Sequence, residues 1–193
     1  MRIAKRKVKK ESKRWIVTLE MVRKELRIVE REYEKLGLID HKLDGVEVYL
    51  VPLGVAYGWK WSGKKGWIDI PRVSIHRVAG LMFHGKTVSL RDVMRHEMAH
   101  GLADTHRALI RSRKYRENFV YPYDDNYRQI YDPKFHVSEY AAKDSAEDFA
   151  ETVMWYVKSK GVVPKRWVGS GIHAKYEFIR ELSEAITDGR ARW

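Results

Sequence analysis

Residues 96–100 read His-Glu-Met-Ala-His, and no other stretch of the chain narrows its fold as much. On an α-helix, with about 100° of turn per residue, His96 and His100 share one face about 40° apart. Both imidazoles can therefore reach a single metal ion. Glu97 points to the side of that pair, where it can take a proton from an attacking water. The pattern commits this stretch to a helix, and its neighbours agree. Thr87 and Ser89 are candidate N-caps, and Ser89-Leu-Arg-Asp92 is a capping box with Asp in place of Glu. Val93, Met94, Ala99 and Leu102 supply apolar positions. Gly101 either admits another part of the chain or weakens the helix.

A catalytic zinc usually has three protein ligands and a water. The chain has no cysteine, so all three must donate nitrogen or oxygen. His106 is one candidate third ligand, ten residues after His96, but Ala103 stands where HExxHxxGxxH needs a glycine for its turn. His106 is equally suited to ending the helix. The other candidate lies in Tyr140–Glu151. Glu147 and Glu151 are four residues apart on one helix face, and such carboxylates repel unless a cation is near or one is hydrogen-bonded. On this reading Glu147 binds zinc and Glu151 accepts the free N–H of a ligating histidine, fixing its tautomer. A solvated acidic face including Asp144 and Asp148 is the competing explanation. Against it, Phe149, Ala150, Val153, Met154 and Trp155 make the helix apolar.

His96-Glu97-x-x-His100, then Tyr140, then Glu147-x-Phe149-Ala150-Glu151, resembles the gluzincin zinc metallopeptidases. In pattern it is most similar to the anthrax lethal factor catalytic domain and the small archaeal minigluzincins of the abylysin type. The resemblance covers roughly residues 80–158. It implies a zincin-like α+β fold: a small mixed sheet, an active-site helix, a glutamate helix, and long N- and C-terminal helices. It implies Zn2+ as cofactor, Glu147 as third ligand, Glu97 as general base and Tyr140 as hydroxyl donor to the transition state. The implied activity is hydrolysis of peptide bonds in a peptide or protein substrate. Asp144 departs from the pattern, since such relatives often carry Asn there. Mn, Co or Ni could occupy the same nitrogen–oxygen set.

The formal charge is +12, and residues 1–14 carry eight basic side chains and one acidic. They are expected to form a basic flexible tail ahead of a single domain over 15–193. Such a tail could meet nucleic acid, an anionic membrane or an acidic substrate, or simply aid solubility. A hairpin is predicted from Tyr57–Trp61 and Trp67–Ile70, and it interleaves Trp59, Lys60, Trp61, Lys64, Lys65 and Trp67. Those rings could stack single-stranded bases, or face the core while the lysines face water. Two alternatives to a plain peptidase follow. One is a nucleic-acid-binding protein with a degenerate zincin core, the other a protease recruited to nucleic acid.

Apolar residues at Trp15, Leu19, Val22, Leu26, Val29, Tyr33 and Leu36 step by four and three, which predicts a long amphipathic helix from about Glu11 to Leu36 ended by Gly37. It suits packing on its own domain better than a coiled-coil seam. Val46–Val51 reads as a strand broken by Pro52. Trp67–Ser74 is the expected cleft-lining strand, with Pro71 suiting an edge. A last helix over His173–Ile186 packs on the core or lies over the cleft. No secretory signal and no run of about 18 apolar residues is visible, so a soluble cytoplasmic protein without a membrane span is expected.

Overall fold

The computed structural model describes residues 16–40, 43, 46–54, 57–62, 65–74 and 89–193. The basic tail, Trp15, Thr87, His41, His76 and His84 lie outside them. The fold is α+β. In chain order it has α1 (Leu19–Lys35), β1 (Glu47–Gly54), β2 (Gly58–Trp61), β3 (Gly66–Ser74), α2 (Leu90–Thr105), α3 (Arg107–Ile110), α4 (Arg113–Phe119), α5 (Ser145–Lys158) and α6 (Gly171–Thr187). Short 3₁₀ turns at Tyr140–Lys143 and Lys165–Trp167 precede α5 and α6.

Helix α1 starts at Leu19, and residues 16–18 ahead of it are not helical; the start expected near Glu11 lies outside the described residues. Thr18 is the N-cap, its hydroxyl accepting from the Met21 amide at 3.2 Å. Just before it, the Val17 amide donates to the Arg72 carbonyl at 2.9 Å, so this segment is held on β3 and cannot be helical. Gly37, at φ +66°, lets the helix close with its own amide on Glu34 O and the Leu38 amide on Tyr33 O. The periodic residues Val22, Val29 and Tyr33 are buried, while Leu19 is exposed.

The sheet is mixed, in the order β1-β3-β2. β1 runs parallel to β3, with Glu47 beside Trp67 and Gly54 beside Ser74. β2 runs antiparallel, with Gly58 beside Asp69 and Trp61 beside Gly66. This corrects the strand expected at the cleft. Among the described residues β3 is central and β1 and β2 are the edges, with β2 the one at the cleft. Pro71 is tolerated because β2 pairs only with residues 66–69, so β3 has lost that neighbour by Pro71. Pro52 does not break β1 either. The strand continues to Gly54, and among the described residues its outer side has no ladder in which a missing N–H would be felt.

Helix α2 is the centre of the molecule. Ser89 caps it, accepting from the Asp92 amide at 3.0 Å. Val93, Met94, Met98, Ala99, Leu102 and Ala103 are buried against α1 on one side, α5 on another, and β2 and β3 on a third. Each large apolar side chain so buried stabilises the fold by about 1.5–3 kcal/mol. Behind α5 lies α6, which buries Ile172, Tyr176, Phe178, Ile179, Leu182 and Ile186. Helix α6 is thus a core element and does not line the cleft. Where it meets α5, Lys175 and Asp148 form an ion pair at 2.5 Å, both side chains fully buried.

Candidate metal centre

His96 and His100 project from α2 towards α5, where Glu147 occupies the first turn. The Asp144 side chain caps α5 and accepts from the Glu147 amide at 2.8 Å. The departure at Asp144 therefore has a defined role: it anchors the backbone of the residue that faces the histidines. His96 Nε2 lies 3.0 Å from Glu147 Oε2, His100 Nε2 lies 3.5 Å from the same oxygen, and the two ring nitrogens are 3.2 Å apart. Zinc–ligand bonds of about 2.0–2.1 Å in a tetrahedron separate neighbouring donor atoms by about 3.3–3.4 Å. The three atoms are spaced as one face of such a tetrahedron.

Protonation makes the fit chemical as well as geometric. His96 Nδ1 is 2.9 Å from Glu151 Oε1, and a carboxylate only accepts, so Nδ1 carries a proton; with a metal ion in place Nε2 would offer it a lone pair. Ser138 donates to the other Glu151 oxygen at 2.7 Å and holds that carboxylate in place. With His100 Nδ1–H donating to the Tyr123 hydroxyl 3.3 Å away, the second Nε2 would likewise be a lone pair towards a metal ion. Three lone-pair donors then converge on one point, which is stable only with positive charge among them. The protein groups alone make the same demand. Burial disfavours imidazolium at His96, but hydrogen bonds to Glu147 and Glu151 outweigh it and raise its pKa to about 10. Burial also opposes ionisation of Glu147, but hydrogen bonds from His100, His96 and Lys143 hold its carboxyl well below the usual range.

The remaining residues surround this point. Tyr140 donates to Glu147 Oε1 at 2.9 Å, and Lys143 donates to the same oxygen at 2.8 Å. Burial and the Glu147 charge push the Tyr140 hydroxyl up to about 12, so at neutral pH it is a proton donor. Glu97 stands on the sheet side, its Oε2 accepting the Trp59 amide of β2 at 2.6 Å. Tyr57, Gly58 and Trp59 form one wall of the open cleft, and Tyr123, Tyr140 and Glu147 form the other.

The sequence left several of these parts undefined. Tyr123 was one tyrosine among several in an irregular stretch. It reaches His100 because the chain reverses at Val120 (φ +70°), with the Tyr121 amide on Phe119 O at 2.8 Å. Ser138, Lys143 and the Trp59 amide gave no sequence signal. His106 stands apart from the three donors and ends α2, with its Nε2 3.5 Å from Asp40 Oδ1. Gly101 admits a side chain: a Cβ there would meet the Trp59 ring at 2.9 Å and Leu43 at 3.0 Å. Trp59 is thus wedged onto α2, and its Nε1 donates to Asp104 at 3.0 Å. Lys60 pairs with Asp69 and Lys65 with Glu47, so the described part of the hairpin presents neither free cations nor a free Trp59 face. No family model, curated protein or solved structure matches the chain, and its description rests on this geometry.

Proposed function

We propose that this protein is a zinc-dependent endopeptidase of gluzincin type, with His96, His100 and Glu147 as ligands. The observation that carries the proposal is the convergence of His96 Nε2, His100 Nε2 and Glu147 Oε2 at 3.0–3.5 Å from two separate helices. A zinc ion there supplies Lewis acidity towards oxygen. Glu97 accepts a proton from the attacking water and returns it to the departing amine. The Tyr140 hydroxyl turns from Glu147 to the developing oxyanion, a role whose loss typically costs about 100–1,000-fold in turnover. Glu151 and Tyr123 hold the two imidazoles in the orientation the ligands need.

A peptide substrate is favoured over other hydrolysable groups by β2. It is an antiparallel edge strand on the wall of the cleft, and an extended backbone can add to it. The zincin-like reading is supported by the order of parts, with a histidine helix between an edge strand and a glutamate helix. The complete donor set argues against a degenerate centre. Among the described residues no helix is long and apolar enough to cross a membrane.

Glu97→Gln separates binding from chemistry. The variant should retain stoichiometric zinc, while cleavage of an unfolded protein falls by about 100–10,000-fold. Undiminished cleavage refutes the general-base assignment. Zinc content unchanged by Glu147→Ala refutes the centre itself.

A further inference from the structure

Charge on α1 is sorted by face. Its acids Glu25 and Glu32 turn inward and pair with Arg91 and Arg95 of α2, at 2.6 and 2.7 Å. Its outward face carries Arg23, Lys24, Arg27, Arg31 and Lys35, all exposed, and Lys160 stands exposed across the groove beside Lys35. None of these six cations has an acidic partner within 4.0 Å among the described residues. Of the other acids of α1, Glu20 and Glu34 are exposed at the two ends of the row, and Glu30 is half-buried at its flank. Like charges four residues apart on a helix repel by about 0.2–0.5 kcal/mol per pair, so the four-residue spacing of this row works against the helix.

We propose that the outward face of α1 is a docking surface for the phosphodiester backbone of double-stranded nucleic acid, read without regard to sequence. Arg23, Arg27, Arg31 and Lys35 recur every four residues, or about every 6 Å along a straight rod of about 18 Å. A duplex offers a negative charge about every 1.7 Å of axis, so each cation can meet its own phosphate. Three of the four are arginines, whose planar forks suit phosphate oxygens. An anionic membrane fits less well. The apolar stripe of α1 is spent on α2, which leaves Leu19 at one end as the large apolar side chain exposed on the helix. The surface is also separate from the cleft. α1 packs where Arg91 and Arg95 emerge, about 100–140° round α2 from His96, and contributes no residue to the cleft walls. Nucleic acid held there leaves the metal centre open. The inference stands whether or not that centre hydrolyses peptides.

The test is binding of the full chain to a fluorescent mixed-sequence DNA duplex of about 20 base pairs across a range of NaCl, with chelator present. The triple variant Arg23→Ala, Arg27→Ala, Arg31→Ala should flatten the log–log salt slope by about 2–3, at about 0.9 for each phosphate no longer neutralised. It should also weaken binding at least about tenfold at low salt. Alanine favours helix, so the fold should persist, and a far-UV circular dichroism melt checks it. The Arg→Lys version of the same triple should keep most of the slope. A chain lacking residues 1–14 should bind more weakly, yet the triple alanine change should flatten its slope by the same amount. An unchanged slope in the triple alanine variant overturns the proposal and leaves the tail as the sole binding element. Binding to phosphatidylserine vesicles but not to the duplex overturns it in favour of a membrane surface.

Discussion

At the scale of single residues, the proposed metal centre rests on side chains beyond its three donors. Glu151 accepts from His96 Nδ1 and is itself held by Ser138. Glu151→Ala should weaken zinc about 10–100-fold, read by competition with a chromophoric chelator, because His96 loses its fixed tautomer. Affinity equal to wild type would show the pairing to be incidental. His136 sets a pH limit of a different kind. Its Nδ1 accepts the Asp132 amide at 3.1 Å while Nε2 faces Gln129 Oε1 at 3.1 Å, so the loop is built on the neutral ring. Burial, with the Lys175 charge nearby, lowers its pKa from 6.5 to about 4. Below pH 6.5 the unfolded chain therefore takes up a proton that the folded chain refuses. Stability held in full above pH 6.5 is lost progressively as pH falls towards about 4. Urea midpoints between about pH 7 and about 4.5 should fall less steeply in His136→Asn, and parallel curves would count against this account.

Among elements, the decisive packing is between β2 and α2. Trp59 sits between two glycines, with ideal Cβ positions 2.0 Å from its ring at Gly66 and 2.9 Å at Gly101. Its Asp104 hydrogen bond completes the clamp, and the result is an edge strand whose amide reaches Glu97. Gly101→Ala gains about 1 kcal/mol of helix propensity against an overpacking cost of about 1–3 kcal/mol. Gly66→Ala has no helix propensity to recover and a closer clash. Both should lower stability in urea denaturation, Gly66→Ala by more, and both should reduce hydrolysis more than zinc content. The reverse order of stability would mean that Trp59 moves aside freely. HExxH announced the helix and the face that its histidines share. It could not announce the wedge, because Trp59 is some forty residues away and reads as an ordinary strand aromatic.

For the molecule as a whole, α5 and α6 are joined through a charge pair inside the core. Burial raises Asp148 to about 6 and lowers Lys175 to about 8, each towards its neutral form, and their mutual attraction opposes both shifts. Removing one partner strands the other. Lys175→Met should cost about 3–5 kcal/mol in urea denaturation, whereas adding Asp148→Leu should recover most of it. If the double variant is as unstable as the single, the pair contributes through geometry that apolar packing does not replace. The same scale separates the two surfaces. The cleft opens between the sheet and α5, and the cationic row of α1 lies across α2 from it, so each can be altered without the other.

From the sequence alone came the helix bearing His96 and His100, its Ser89 cap, the β2–β3 hairpin, the apolar glutamate helix and the shared face of Glu147 and Glu151. All of these are local: they follow from periodicity, capping and charge spacing within a few turns of chain. Only the tertiary structure decided which strand borders the cleft, where α1 begins, that Tyr123 meets His100, and that Asp104 and two glycines seat Trp59. Those outcomes depend on packing between residues distant in sequence, whose energies carry no periodic imprint. The cations of α1 belong to both descriptions. The sequence counts them, and the fold turns Glu25 and Glu32 inward and leaves the positive charge facing out.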